Sequence, residues 1–212
     1  CAWIFPWPKC PSACRRFSRA RAEVSRLIES SATLRGRTLL ATTYATGLRL
    51  SEVCALKLSD IESAPERMCI KVCQGKGAKD RYAPKEVPLG DTLLSPRLLE
   101  ILRRYWCDRR PRTWLFTNHS GNAPIGINTV QRIYCAARDA AGIAREGGIH
   151  GLRHAFATHL IEAGADLPTV QHLMGHGHIG TTMRYVHLAR ARVTGTTSPL
   201  DLLDPSTPPT TR

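Results

Sequence analysis

Most of the chain places apolar residues at the three- and four-residue spacing of amphipathic helices. Val24, Leu27 and Ile28 share one face of the first such segment. Glycines and helix-capping residues divide the pattern into separate helices. The predicted helix starts are Ser18, residue 35, Ser51, Ser95 followed by Pro96, Asn128, His150, Asp166, and either Thr181 or Thr182. The helix from residue 35 is expected to end at Gly47, and the one from residue 150 at Gly164.

The apolar period changes from helical to alternating between residues 67 and 89. Met68, Ile70 and Val72 alternate with polar or thiol side chains, and a similar alternation returns at Val87 and Leu89. The G-K-G sequence at 75–77 separates the two runs, which is typical of a β-hairpin. The fold class predicted is mainly α (α+β): a helical bundle with a small antiparallel β-sheet or hairpin.

The composition along the chain predicts three segments. Residues 1–17 lack periodicity and are expected to be an arm or a truncated linker. Residues 18–193 form one domain, and 194–212 form a flexible tail rich in Thr and Pro. No apolar run is long enough to cross a bilayer, and the apolar start does not have the order of a secretory signal, so no membrane association is expected.

The charge balance favours a polyanionic partner. Thirty Lys and Arg residues against 17 Asp and Glu give a formal net charge of +13, which supports salt-sensitive binding to nucleic-acid backbones. The eight cysteines do not show zinc-type C-x-x-C pairs, and Cys54 and Cys135 lie within helical apolar patterns as free thiols. We therefore expect a reducing, cytoplasmic setting and no structural metal.

Four separated stretches carry the candidate chemistry: TGLRLSEV (46–53), QGKGAKDRY (74–82), HGLRHAFATHL (150–160) and LMGHGHIGTTMRYVHL (173–188). Each has an ordinary structural interpretation when taken alone. The glycine-rich stretch lacks the spacing of a nucleotide-binding P-loop, so it does not predict ATP binding. His150 and Arg153 are one helical turn apart and share a face.

Together, in this order and spacing, the four stretches resemble the tyrosine recombinases, the phage-integrase-type enzymes of bacteria and their mobile elements. The resemblance covers roughly residues 20–190. It implies a site-specific enzyme that cuts and rejoins double-stranded DNA through a 3′-phosphotyrosyl intermediate, acting as a dimer or tetramer on DNA in the bacterial nucleoid. It implies no cofactor and no metal. The catalytic residues that it implies are Arg49, Lys76, His150, Arg153, His176 and Tyr185.

The chemistry of strand cleavage agrees with these residue types. Arg49 and Arg153 would grip the scissile phosphate, because guanidinium groups stay charged and present paired donors to phosphate oxygens. Tyr185 would be the nucleophile, and His150 would occupy the proton-transfer position. Lys76 would protonate the departing 5′ oxygen. His176 would be a further contact to the phosphate.

Other basic and histidine side chains have weaker predicted roles. Lys79 and Arg81, beyond the hairpin turn, are candidate contacts to the DNA backbone. His154 either orients the site or packs beside it. A cluster of arginines either contacts DNA or forms a solvated face; its members are Arg103, Arg104, Arg109, Arg110 and Arg112. Three more histidines are expected to be structural or solvent-facing: His159, His172 and His178.

The sequence departs from the family pattern in two places. Only about twenty residues precede the first matching helix, whereas the family usually carries a separate helical domain that completes a clamp around the duplex. The returning hairpin strand contains extra residues, including Pro84. Two alternatives therefore stay open: a DNA-binding remnant that does not cut, and, as a minor hypothesis, a relaxing type I topoisomerase. The apolar cluster Leu200, Leu202 and Leu203 is a candidate docking segment for a neighbouring subunit.

Overall fold

A computed structural model describes residues 21–64, 67–72, 92–144, 147–176 and 179–186 of the 212-residue chain. The predicted arm (1–17), the hairpin turn with Lys76, Lys79 and Arg81, and the Thr/Pro-rich tail lie outside the described residues. None of the helices in the described ranges is long and apolar enough to cross a membrane.

The described part is mostly helical, as the sequence predicts. In chain order the helices are α1 (Arg21–Glu29), α2 (Leu34–Thr46), α3 (Leu50–Cys54), α4 (Pro96–Arg109), α5 (Ile127–Ala140), α6 (His150–Glu162), α7 (Leu167–Leu173) and α8 (Ile179–Val186). A short 3₁₀ helix, Leu58–Asp60, joins α3 to the sheet.

A small antiparallel sheet lies between α3 and α4. Its strands are β1 (Ile61–Ala64), β2 (Arg67–Ile70) and β3 (Thr92–Leu93), in the order β1-β2-β3. Ile61 is opposite Ile70 in the first pair, and Cys69 is opposite Leu93 in the second. The predicted antiparallel sheet is therefore confirmed. It also contains strand β1, which the alternation of apolar and polar residues did not indicate. The predicted pairing of 87–89 lies outside the described residues.

Local capping chemistry explains several helix starts. Ser95 accepts a hydrogen bond from the backbone N–H of Leu98 at 3.2 Å, and Pro96 occupies the first turn of α4. Asp166 caps α7 in the same way, accepting from the N–H of Thr169 at 3.1 Å. Thr33 caps α2. The predicted starts at Ser95–Pro96 and Asp166 are thus confirmed.

Two predicted caps are wrong. Helix α5 begins at Ile127 after Gly126, so Asn128 lies in its first turn and does not cap it. Helix α8 begins at Ile179, so Thr181 and Thr182 are inside the helix. In both cases a residue able to cap stands one to three positions beyond the true start, because side-chain type alone does not identify the residue with extended backbone.

The buried residues form two adjoining clusters. The larger joins α1–α5 with the sheet and the start of α6 through side chains such as Leu27, Leu39, Leu98, Tyr134 and Leu152. The smaller lies among α6, α7 and α8, and its buried members are Phe156, Ala157, Ile161, Val170, Met174 and Tyr185. Burial of these apolar faces fixes α8 and the turn after α7 against α6, which positions the side chains described next.

Candidate active site

Helix α6 presents His150, Arg153 and His154 on one face, because these positions are separated by three and four residues. The end of α2, the start of α3, the turn after α7 and helix α8 surround this face. They bring Arg49, His176 and Tyr185 to it. Five of the six predicted catalytic residues therefore converge in the described structure, and Lys76 lies outside the described residues.

Arg153 is buried, with only 3% of its surface exposed. Its Nη1 donates to the carbonyl oxygen of Gly47 at 2.6 Å, and its Nη2 donates to the carbonyl oxygen of Met174. Burial, and secondarily the charge of Arg49, lowers the pKa of Arg153 to about 10. The guanidinium is still protonated at neutral pH, so it keeps a positive charge in a largely dry position.

Arg49 precedes α3 and is held from two sides. Its Nη1 donates to Oε1 of Glu52 at 2.8 Å, and its Nη2 donates to the carbonyl oxygen of Gly175 at 2.8 Å. Glu52 also accepts from the backbone N–H of Arg49 at 2.7 Å. The Arg49 side chain remains 43% exposed. A cleft lined by Arg49, Glu52, Arg153, Met174 and Gly175 thus has two guanidinium groups at its wall.

Tyr185 is 5% exposed, and its ring packs in the smaller apolar cluster. Its hydroxyl lies 2.8 Å from Nδ1 of His154. The His176 ring is parallel to the Tyr185 ring, with centroids 6.3 Å apart, and its Nδ1 lies 3.0 Å from the hydroxyl of Thr182. The hydroxyl of Tyr185 is therefore the polar end of an otherwise packed phenol.

His150 stands at the start of α6 and contacts His154 edge to face, with ring centroids 4.9 Å apart and planes at 87°. Partial burial of the ring lowers the pKa of His150, and the charges of Arg153 and Arg49 lower it further. The imidazole is therefore neutral at pH 7, and a neutral imidazole has a ring nitrogen that can accept a proton.

The structure places three residues in this site whose position the sequence left open or did not indicate. His154 contacts Tyr185 directly. The carboxylate of Glu52 accepts hydrogen bonds from both the backbone N–H and the side chain of Arg49. Thr182 contacts His176. Glu52 follows Arg49 by three residues at a helix start, which is the signal that would have found it.

His159 lies about one and a half turns after His154 on α6 and contacts a residue of another helix. Its Nδ1 lies 2.8 Å from the hydroxyl of Tyr44 on α2. His159 is buried, at 6% exposed. Of the two predicted alternatives for His159, structural or solvent-facing, this position agrees with the structural one. His172 is partly buried on α7, and His178 lies outside the described residues.

Among known proteins, a family model described as "Phage integrase family" matches residues 20–192. The putative integrase/recombinase y4qK of Sinorhizobium fredii is 41% identical over 211 residues, covering 98% of this chain and 65% of the relative. Tyrosine recombinase XerC of Listeria monocytogenes is 34% identical over 168 residues, covering 77% of this chain and 53% of the relative. The chain thus spans about half to two thirds of the length of these relatives.

A solved structure gives the same result for the fold. The XerH site-specific recombinase, bound to a palindromic difH substrate in a post-cleavage complex, matches with a TM-score of 0.68 and 27% identity over 82% of this chain and 50% of that one. Sequence and fold therefore agree on one family. The chain belongs to the phage integrase family, whose members include the tyrosine recombinases XerC and XerD.

Proposed function

We propose that this chain carries the catalytic site of a site-specific DNA recombinase of the mobile-element integrase type. It would cut and rejoin double-stranded DNA through a 3′-phosphotyrosyl intermediate formed on Tyr185. The observation that carries this proposal is that Arg49 and Arg153 both donate to the turn at Met174 and Gly175, and that Tyr185 shares an apolar cluster with Met174. A nucleophile beside two guanidinium groups is the arrangement that phosphoryl transfer needs.

Arg49 and Arg153 would bind the non-bridging oxygens of the scissile phosphate. Guanidinium groups offer planar, charged donors that match phosphate oxygens, and those donors are strongest where water is excluded. Arg153 is held rigidly by the carbonyl groups of Gly47 and Met174. This support would let the site stabilise the negative charge that develops in the transition state without first rearranging.

The remaining predicted residues complete the reaction. The phenol oxygen of Tyr185 would attack phosphorus, the bond from phosphorus to the 5′ oxygen would break, and Lys76 would protonate that oxygen. By the family resemblance, His150 would occupy the proton-transfer position, and His176 would contact the phosphate. The phosphotyrosyl bond conserves the energy of the broken phosphodiester, so attack by a 5′ hydroxyl reverses the step without ATP.

DNA would be bound mainly through its phosphates. The formal net charge of +13 supports this, and the XerH relative was solved on DNA. Lys79 and Arg81 are proposed backbone contacts. Exchange between two duplexes requires a tyrosine for each cut strand, so we propose that copies of the protein assemble on DNA as a dimer or tetramer. Its place of action would be the nucleoid in the bacterial cytoplasm.

Covalent trapping tests this function. Duplexes that carry a nick next to candidate element ends lose the short 5′-hydroxyl strand after cleavage, so the protein–DNA adduct accumulates and survives SDS. We expect an adduct with the wild-type chain and none with Tyr185→Phe. Tyr44→Phe is the matched control, because it removes another hydroxyl that contacts a histidine of α6, and it should still form the adduct.

The outcomes separate the competing functions. Salt-sensitive DNA binding without any adduct, at every nicked site tested, would support the non-cutting DNA-binding protein. Relaxation of supercoiled plasmid without a preferred site would support a topoisomerase. An adduct that forms equally with Tyr185→Phe would contradict the proposed nucleophile.

A further inference from the structure

Helices α6 and α8 place one imidazole nitrogen directly on the hydroxyl of Tyr185. Nδ1 of His154 lies 2.8 Å from this hydroxyl, and the two rings are tilted by 47° with centroids 5.5 Å apart. The Tyr185 ring is packed among Phe156, Val170 and Met174. Because the ring is fixed by packing, the hydroxyl keeps its place beside His154.

The neighbouring imidazoles have other arrangements. His176 faces the Tyr185 ring in a parallel stack, and its Nδ1 is directed to the Thr182 hydroxyl. His150 meets His154 edge to face. His154 thus contacts both the nucleophile and the residue that the family resemblance places in the proton-transfer position.

We propose that His154 is the general base that takes the proton of Tyr185 during strand cleavage. This inference rests on the proposed function. The O–H bond of Tyr185 breaks and its proton bonds to Nδ1 of His154, which becomes an imidazolium. The freed electron pair forms the bond to phosphorus, and the electron pair of the breaking bond leaves on the 5′ oxygen, which Lys76 protonates. On religation, His154 returns the proton to the phenol oxygen.

The distance and the chemistry of the imidazole ring suit this step. A general base must lie within hydrogen-bond reach of the proton that it removes, and 2.8 Å satisfies this condition. A neutral His154 can accept from the phenol at Nδ1 while its own proton stands on Nε2. His154 is only partly buried, so its imidazolium would keep some contact with water.

The surrounding charges make this transfer dependent on bound DNA. Arg153 is adjacent in sequence to His154. Burial first, and then the charges of Arg153 and Arg49, lower the pKa of His150, whose ring touches His154. Two guanidinium groups near this pair of rings oppose a further positive charge there. A bound phosphate brings negative charge to the same place and offsets this repulsion, so the phenol would lose its proton only when a substrate is present.

The test is the single-turnover rate of adduct formation on the nicked duplex at saturating DNA. His154→Asn keeps a polar group near the hydroxyl but has no nitrogen that takes up a proton. We expect a slowing of about 10²-fold or more, which is typical for loss of a general base. The DNA concentration at half-maximal rate should be unchanged, because His154 acts on the nucleophile and not on DNA binding.

His159→Asn is the matched control. It removes an equivalent tyrosine–histidine contact of 2.8 Å from the same helix, but its partner is Tyr44. This variant should react at the wild-type rate. His154→Gln is a second variant, because glutamine is a better helix former than asparagine and likewise accepts no proton. Thermal unfolding of each variant identifies those that are folded at the assay temperature.

The result that overturns the proposal is a folded His154→Asn or His154→Gln chain that forms the adduct as fast as wild type, or one that is slowed no more than His159→Asn. The comparison of wild type with Tyr185→Phe is made in the same assay. An adduct that requires Tyr185 but not His154 would contradict this inference alone. Absence of an adduct with the wild-type chain would contradict the proposed function as well.

Discussion

Arg153 on α6 donates to the carbonyl oxygen of Gly47 at the end of α2, with 2.6 Å between the two atoms. This bond joins a buried charge to the backbone two residues before Arg49. Gly47 has a left-handed conformation, with φ of +64°, and its N–H donates to the carbonyl oxygen of Thr43 to end α2. One turn of backbone thus orients both arginines of the candidate site.

Replacing Arg153 tests this support. Arg153→Lys keeps the positive charge but loses the fork that reaches two carbonyl groups, so at least one buried carbonyl loses its partner. We expect adduct formation to fall by about 10²–10³-fold, as for loss of a transition-state donor. The free energy of unfolding should fall by about 1–3 kcal/mol, the cost of an unsatisfied buried group. Urea titration and the trapping assay measure the two effects.

Arg138→Lys is the control for this substitution. Arg138 pairs with its exposed neighbour Asp139 at 2.8 Å and lies outside the site. The same chemical change there should leave the unfolding free energy and the adduct rate at their wild-type values, since surface ion pairs contribute little. Equal effects of the two substitutions would contradict a stabilising role for the hydrogen bonds from Arg153 to the two backbone carbonyl groups.

Gly47→Ala tests the turn itself. A Cβ atom at Gly47 would lie 2.3 Å from Cδ1 of Phe156, in addition to the left-handed backbone. Gly142→Ala is matched, because Gly142 has φ of +65° and no atom within 4 Å of an added Cβ. We expect Gly142→Ala to cost about 1–2 kcal/mol of unfolding free energy for its backbone alone, and Gly47→Ala to cost clearly more. Equal costs would show that Phe156 does not limit this position.

The lowered pKa of His150 predicts a dependence of stability on pH. The folded state holds the imidazole neutral, whereas the unfolded chain protonates it near its ordinary value of 6.5. The folded chain therefore binds fewer protons below this pH, and stability must fall as the pH decreases from 6.5 through the folded pKa. His150→Gln should weaken this dependence, as measured by urea titration between neutral and mildly acidic pH. An unchanged pH dependence would contradict the assignment.

Lys76 can be tested through its proposed role as the acid. Lys76→Ala should slow adduct formation on an ordinary phosphodiester by about 10²–10⁴-fold. A substrate with sulfur in place of the 5′ bridging oxygen should restore much of the rate, because a thiolate leaves without a proton. Tyr185→Phe should not be restored by this substrate. A Lys76→Ala variant that is equally slow on both substrates would contradict the role.

The local features of the fold were predictable where one residue type has one physical role. Ser95 with Pro96 and Asp166 start helices because a side-chain oxygen or a fixed φ suits that position, whatever the rest of the chain does. Asn128 and the threonines of α8 are equally good capping residues by type, yet they lie inside helices. Their backbone is set by packing of Val130 and Tyr185 into the two clusters, which local sequence does not contain.

The candidate site likewise has features that the sequence predicted and features that it did not. The resemblance of the four stretches to the tyrosine recombinases was sufficient to nominate Arg49, His150, Arg153, His176 and Tyr185, and the structure brings these five together. The contact of His154 with Tyr185 joins residues 31 positions apart on different helices. Helical spacing puts His154 beside Arg153 on the same face, but it does not say which side chain of α8 meets it. The roles of all these residues, and the segment bounds at 17 and 193, stay predictions.

The most direct measurement is identification of the residue that carries DNA after trapping on the nicked duplex. Nuclease and protease digestion of the adduct, followed by mass spectrometry, locates the attached nucleotide. We expect a nucleotide linked through its 3′-phosphate to Tyr185, with the released strand ending in a 5′ hydroxyl. A nucleotide on any other residue, or a 5′-phosphate linkage, would contradict this expectation.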